Sequence, residues 1–299
     1  MKKNGSAFIA VVLFFIIAFT LSGCFITNVF VKRGGRSSDL KKRILIIPIY
    51  DQTGKRTKLV NDATVQFASL IADSSSVKIV EPSESMPIKE SDRSPEFGII
   101  TSPELIEKAR KMGINALITC LLIPIESSTE KTGIWPFRSL SRIFEISMIV
   151  NVVDVTTGYL YLTRLDSEKR SFPFEEAQKQ NEKGYIEKAL ADSIPEILER
   201  QASVITDLLE KSPWIGTITQ VTDKTIEINA GNDIGAQPGQ IFMVYARSDS
   251  IKRKFGRPID LTGRAVGRIQ ITDVQDKHSL AVAVEEGGFV AGQIVSSVD

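Results

Sequence analysis

The chain has 299 residues, with 37 Lys plus Arg against 36 Asp plus Glu, a formal net charge of +1 and a hydrophobic content of 42%. A balance this close to neutral supplies no long-range field for a polyanion, so no nucleic-acid partner is expected, and the length suits two domains better than one. One histidine and two cysteines in the whole chain leave too few ligands for a His/Cys metal centre and a single base for Ser-His-Asp chemistry.

The first element is a targeting segment. Lys2 and Lys3 precede the apolar run Ala7–Phe19, which is the pattern of a secretory signal. The run ends in Leu21-Ser22-Gly23-Cys24, which resembles the lipobox of bacterial lipoproteins: small residues before a cut and a thiol that takes a diacylglyceryl group. Residues 1–23 are therefore read as a signal peptide cleaved between Gly23 and Cys24. An uncleaved anchor is the alternative, since the run approaches the ~20 residues that span a bilayer; Ser22-Gly23-Cys24 at its end argues for cleavage. The resemblance implies a covalent lipid at Cys24 and no other cofactor. Its acyl chains, at about 0.8 kcal/mol per buried methylene, make the attachment effectively permanent. Phe25 stands where an Asp would imply inner-membrane retention, so the expected place is the outer membrane, periplasmic face. With Cys24 consumed, no internal disulfide is available. Cys120, within Ala116–Ile123, reads as an inert core thiol.

Residues 24–42 read as a flexible lipidated tether, with Gly34-Gly35, Ser37-Ser38 and a basic cluster of Lys32, Arg33, Arg36, Lys41, Lys42 and Arg43. These charges fit anionic headgroups or a solvated linker equally well. From Arg43 to Lys211 the pattern is α/β. Ile44–Tyr50 is apolar on both faces, as in a buried strand, and ends in the turn Asp51-Gln52-Thr53-Gly54. A helix carrying Val60, Ala63, Phe67, Leu70 and Ile71 follows, then a short strand at Val77–Val80. Thr101-Ser102-Pro103-Glu104 has the capping-box pattern of a helix start, and Gly113 supplies its stop. Two long strands are expected at Ala116–Ile125 and about Ile143–Val155. The second turns through Thr156-Thr157-Gly158 and pairs with Tyr159–Thr163. A helical region from about Phe174 to Lys211 closes the domain, with a break or restart near Pro195, a residue best placed in a first helical turn.

From residue 213 to 299 the chain is strand and turn throughout, with a weak internal repeat. Gly216 opens one strand-turn-strand unit ending in Gly239-Gln240-Ile241, and Gly267 opens another ending in Gly292-Gln293-Ile294. A small closed barrel would bury both halves and leave few edges. The expected fold class is thus an α+β, α-β sandwich domain with a mixed sheet and helices, followed by a small all-β barrel-like domain.

These residues resemble a known fold. Ile46–Gly54, Ile114–Ile118 and Val150–Gly158 are similar to the strands and turns shared by the curli secretion channel lipoprotein, the N-terminal domain of the Tol translocation protein B and the middle domain of flagellar assembly protein T. Gly216-Thr217-Ile218, Ile226–Gly231 and Gly235–Phe242 resemble the C-terminal β domain of the last. The resemblance implies a component of an envelope assembly, with other envelope proteins or further copies of itself as partners.

For chemistry, His278 sits in the turn Asp276–Ser279. Asp223-Lys224 and Asp273–Asp276 read as turn formers, and Gly231, Gly235 and Gly239 as β-turn glycines rather than a phosphate-binding loop. No catalytic or metal-binding residue is assigned, and the chain is expected not to be an enzyme. Two segments are candidate partner contacts: the basic loop Lys252-Arg253-Lys254 with Arg257, and the aromatic turn Thr132–Phe137 with Trp135 and Phe137, which serves either as an interface anchor or folds back over the sheet. A curli-type pore needs hairpin strands of about 9 to 11 alternating residues. Glu126–Arg142 reads as short and charged, and Phe174–Gly184 as helix or loop. A scaffold role therefore ranks ahead of an oligomeric outer-membrane secretion channel.

Overall fold

The computed structural model describes residues 40–53, 57–81, 103–175, 182–247, 262–285 and 287–297. They build a seven-stranded mixed sheet with helices on both faces, followed by a closed six-stranded antiparallel barrel. The expected fold class is the observed one.

The sheet is centred on β1 (Lys42–Ile46), which runs parallel to β3 (Val77–Ile79) on one side and to β4 (Ala116–Leu122) on the other. The two-residue β2 (Tyr50–Asp51) extends the β4 pairing. Beyond β4 the sheet turns antiparallel through β6 (Ser139–Asp154), flanked by β5 (Glu126–Thr132) and β7 (Leu160–Pro173). β1 is apolar on both faces because both are covered. Ile44 and Ile46 join the core made with α1 (Thr57–Ala72) and α3 (Glu182–Lys211), while Leu45 and Ile47 pack against α2 (Pro103–Lys111). The helical spacing of α1 delivers Val60, Ala63, Phe67 and Ile71 to that first core. The turns follow the local chemistry read above. Gly113 ends α2 at φ +70°, and Asp51 accepts the backbone N–H of Thr53 at 3.0 Å. Asp154 holds the β6–β7 turn by accepting the backbone N–H of Thr156 at 2.9 Å.

Several boundaries differ from those expected. Residues 40–42 do not belong to a tether: Leu40 is in the barrel core, and Lys42 is buried at the start of β1. The strand expected at Ala116–Ile125 stops at Leu122, and a separate strand, β5, occupies part of Glu126–Arg142, which had read as too short and charged. Its Ser127, Ser128 and Thr129 have no apolar period to announce a strand. They are held by pairing with Arg142–Phe144, and Arg142 donates to Ser127 Oγ at 3.0 Å and Thr129 Oγ1 at 3.2 Å. β7 runs to Pro173 rather than stopping near Thr163. Its inward side is charged, with Arg200 of α3 bridging to Glu168 at 2.7 Å and Arg170 to Glu196 at 2.7 Å. Finally, α3 passes through Pro195 without a break. Proline removes one helical N–H, and here Arg170 donates to the Asp192 carbonyl at 2.9 Å beside the site of that loss.

The barrel runs β10 (Ile241–Arg247), β11 (Thr262–Val274), β12 (Ser279–Ala283), β9 (Thr225–Ile228), β8 (Ile215–Thr222), β13 (Ile294–Ser297) and back to β10. Its centre is Trp214, stacked edge-on against Phe242 at 5.7 Å and surrounded by Ile218, Ile228, Ile269 and Val295. The internal repeat is structural. Gly239 and Gly292 have φ +88° and +89°, and each donates its N–H at 2.8 Å to a strand of the other half, at Ile271 and Ile218 respectively. Gln240 and Gln293 then do the same work, each side-chain oxygen accepting the N–H three residues earlier, from Gln237 at 3.0 Å and Val290 at 3.1 Å.

Candidate functional site

The residues singled out by sequence divide into those within and those outside the described structure. Gly23, Cys24, Lys252, Arg253, Lys254 and Arg257 lie outside the described residues. Trp135 and Phe137 lie within them, at the turn joining β5 to β6. The choice left open for this turn is resolved: it does not fold back. Ile134, Trp135 and Phe137 are 84%, 77% and 87% exposed, and Leu140 beside them is also exposed.

The turn is built to project. The last β4 partner of β6 is Leu122 against Met148. At a rise of about 3.3 Å per residue, the stretch from Met148 back to Ser139 carries the turn about 30 Å past that point. Pairing of β6 with β5 from Glu126–Glu145 to Thr132–Ser139, and with β7 as far as Ser141–Pro173, keeps this arm three-stranded almost to its end. The inner side of its base is filled by Phe144, Phe172 and Tyr185, with ring centroids 6.0 and 5.0 Å apart in turn. At the tip, Phe137 donates its N–H to the Ile134 carbonyl at 2.7 Å. Gly133 has φ +101°, and a Cβ there would stand 2.7 Å from the Phe137 carbonyl oxygen, so glycine is required for the turn to close. Between residues 131 and 140 the charges are Lys131 and Arg138 alone, with no acid.

A second cluster, not singled out from sequence as a site, joins the sheet to the barrel. Arg43, expected as one of a solvated basic group, is instead buried, its side chain 5% exposed. Its guanidinium grips Asp233 twice, at 2.9 and 2.5 Å, and donates to the carbonyls of Asn229 at 2.7 Å and Lys277 at 3.0 Å. Lys78 adds a second cation to Asp233 at 3.2 Å. Asn115 accepts the Arg43 N–H at 2.9 Å and donates to the Ile215 carbonyl of β8 at 2.5 Å. Burial alone would raise the Asp233 carboxyl, but Arg43 and Lys78 outweigh it and hold it below the usual range. Lys42 next door is pushed down to about 8 by burial, against the opposing pull of Glu210. The crevice between them, lined by Lys42, Asn115, Asp154 and Ser212, measures about 10 Å³, room for about one water. The side chains of Arg43, Lys78 and Asn115 each bond from the sheet domain to the barrel, which makes the junction a structural clamp.

Among the described residues, no three His, Cys, Asp or Glu side chains come together as metal ligands. His278 lies in the β11–β12 turn, its carbonyl accepting the Gln275 N–H at 2.9 Å. Cys120 is buried, and burial pushes its thiol up to about 12, out of range of thiolate chemistry near neutrality. Asp223 takes φ +52° in the β8–β9 turn, as a turn former does.

The chain matches no family model, and no curated protein is similar to it in sequence. Its fold is similar in part to solved structures. A hypothetical protein of Chlamydia trachomatis shares 12% identity over 56% of this chain and 98% of its own, at a TM-score of 0.37. A minor lipoprotein of Acinetobacter baumannii shares 10% over 57% and 92%, at 0.29. TolB of Acinetobacter baumannii shares 10% over 85% of this chain and 63% of its own, at 0.27. Similarities at these scores carry nothing about activity or partners to this chain.

Proposed function

We propose that this is a lipid-anchored protein of the bacterial envelope, attached through Cys24 to the periplasmic face of the outer membrane, and a non-enzymatic scaffold component of a larger assembly. The observation that carries the reading is Leu21-Ser22-Gly23-Cys24 at the end of the apolar run, ahead of a folded body whose first described residue, Leu40, is buried. The clamp supports it from a different direction. A scaffold must hold its modules in fixed relation, and Arg43 and Asn115 link sheet to barrel by buried bonds rather than by a hinge. The partners on this reading are other envelope proteins or further copies of the chain. The assembly on this reading is flagellar or secretion related, a proposal that rests on the sequence resemblance of the two domains.

The test is metabolic labelling with a radioactive fatty acid, followed by density separation of inner and outer membranes. Label on the wild type, absent from Cys24→Ala, with recovery in the outer-membrane fraction, supports the reading. An unlabelled or soluble protein refutes it. The second reading, a subunit of a curli-type secretion channel, gains from one observation: a β-hairpin does occupy the place of the first expected insertion. Its strand β5, Glu-Ser-Ser-Thr-Glu-Lys-Thr, offers no apolar face to lipid, which keeps the pore second. Native mass and single-channel recording of the detergent-extracted protein separate the two. A conducting closed ring would reverse their order.

A further inference from the structure

We infer that the β5–β6 tip is a second membrane contact, in which Ile134, Trp135, Phe137 and Leu140 dip into the headgroup–acyl boundary of the bilayer while Lys131 and Arg138 rest on its anionic phosphates. The inference deepens the lipid-anchored reading and rests on it for the nearness of the bilayer. Three observations converge. The apolar residues are exposed together at the far end of an arm whose strand β5 is polar and whose Phe144 and Phe172 face inward, so the arm's outward apolar surface is gathered at the tip. Tryptophan and phenylalanine flanked by cations is the composition that settles at a membrane interface, where indole sits at headgroup level and Lys and Arg reach phosphate. The charge between residues 131 and 140 is purely positive, which complements an anionic lipid surface and leaves no acid in the turn for headgroup phosphates to repel.

The geometry permits both contacts at once. β1 lies level with Asp154, 15 residues or about 50 Å along the sheet from Ser139, and the residues between Cys24 and Leu40, at up to about 3.5 Å each, reach about 55 Å, so anchor and tip meet one bilayer with the arm inclined to it. An anchor at one end and a wedge at the other would fix the tilt of the body on the membrane, where a lipid tether alone leaves it free to swing. The depth involved is that of an interfacial contact, about 5–10 Å, rather than a crossing.

The chain carries two tryptophans, and they report separately. Trp135 is at the tip, and Trp214 is 2% exposed in the barrel core. The experiment uses the full lipidated protein, extracted from cells and reconstituted into vesicles of phosphatidylethanolamine and phosphatidylglycerol whose acyl chains are brominated near the headgroup. Expected is a blue-shifted Trp135 emission quenched about twofold by the brominated lipid, a signal absent from Trp135→Phe and weakened in Ile134→Ser/Phe137→Ser. Trp135 emission at the wavelength of an exposed indole, open to aqueous iodide and unquenched by brominated lipid while the protein floats with the vesicles, overturns the inference and leaves the anchor intact. So does Trp135 shielded from iodide but unquenched by lipid, which would assign the tip to a protein. Quenching of Trp135 in a protein found to carry no fatty acid would support the tip and remove the anchor, so the two readings fail separately.

Discussion

The clamp at Arg43 and the tip at Trp135 are opposite answers to the same question of where a side chain's interactions are spent. At the clamp a guanidinium 5% exposed makes four bonds, and Asp233 is answered by two cations. At the tip three large apolar residues face outward, and a single backbone hydrogen bond ties Phe137 to Ile134. Stability and outward contact are therefore separated by position in this fold, so a substitution should disturb one with little effect on the other.

Breaking the clamp gives the largest expected effect. Arg43→Ala leaves Asp233 buried with only the half-exposed Lys78 for a partner, and should lower unfolding stability by about 3–5 kcal/mol in urea titrations. Arg43→Lys should recover little of this, since an ammonium cannot reproduce the two-pronged grip or reach both carbonyls. Next in size is Gly216→Ala. A Cβ there would stand 2.1 Å from the Trp214 ring and 2.5 Å from Asn229 Oδ1, and repacking should cost about 1–3 kcal/mol.

Acidity sharpens the comparison further. Asp233 is held below its usual range by burial set against the stronger pull of Arg43 and Lys78, so its contribution is present above the unfolded carboxylate value near 3.8. It is lost as pH falls through the lower folded value. Asp233→Asn should flatten the pH dependence of the urea midpoint in that acid window. Lys42 gives a slope of the same sign at alkaline pH for the opposite reason, since burial penalises its charged form. Its folded value is about 8 against 10.5 unfolded, so between these the unfolded chain binds more protons and stability rises with pH. Lys42→Met should remove that rise. The smallest effect belongs to the tip: Trp135→Ser and Phe137→Ser should each change the unfolding free energy in urea titrations by no more than about 0.5 kcal/mol, the range typical of surface changes. A large loss of stability on either would mean that the tip is packed, and the contrast between the two regions would collapse.

What could be read from the residues alone follows from the range of the forces involved. The buried β1 run, the helical faces of α1 and α3 and the repeated Gly-Gln-Ile turns of the barrel are local patterns, and all appear in the fold. β5 is invisible to such patterns because Ser127–Lys131 has neither apolar period nor turn signal, and only its partner β6 makes it a strand. Arg43 reads from sequence as one of a basic cluster, set against headgroups or solvent, because its partner Asp233 is 190 residues away, a separation that leaves no periodic trace. The run of α3 through Pro195 likewise has no local signal, since proline in a helix interior reads as a break. The exposed aromatics of the tip were visible as composition, but whether they turned outward depended on the projecting arm.

The span of the clamp also bears on how the protein reaches its final form. Arg43 lies near the start of the described residues, whereas its acceptors Asp233 and the Lys277 carbonyl lie 190 and 234 residues downstream. The barrel that presents them closes only with β13, ending at Ser297. Contacts of such sequence separation form slowly, because a long loop must be ordered before they contribute. A chain truncated before residue 294 would keep the pairing of β1 with β3 and β4 but lack a closed barrel, and with it the rigid frame that presents Asp233 and the Lys277 carbonyl to Arg43.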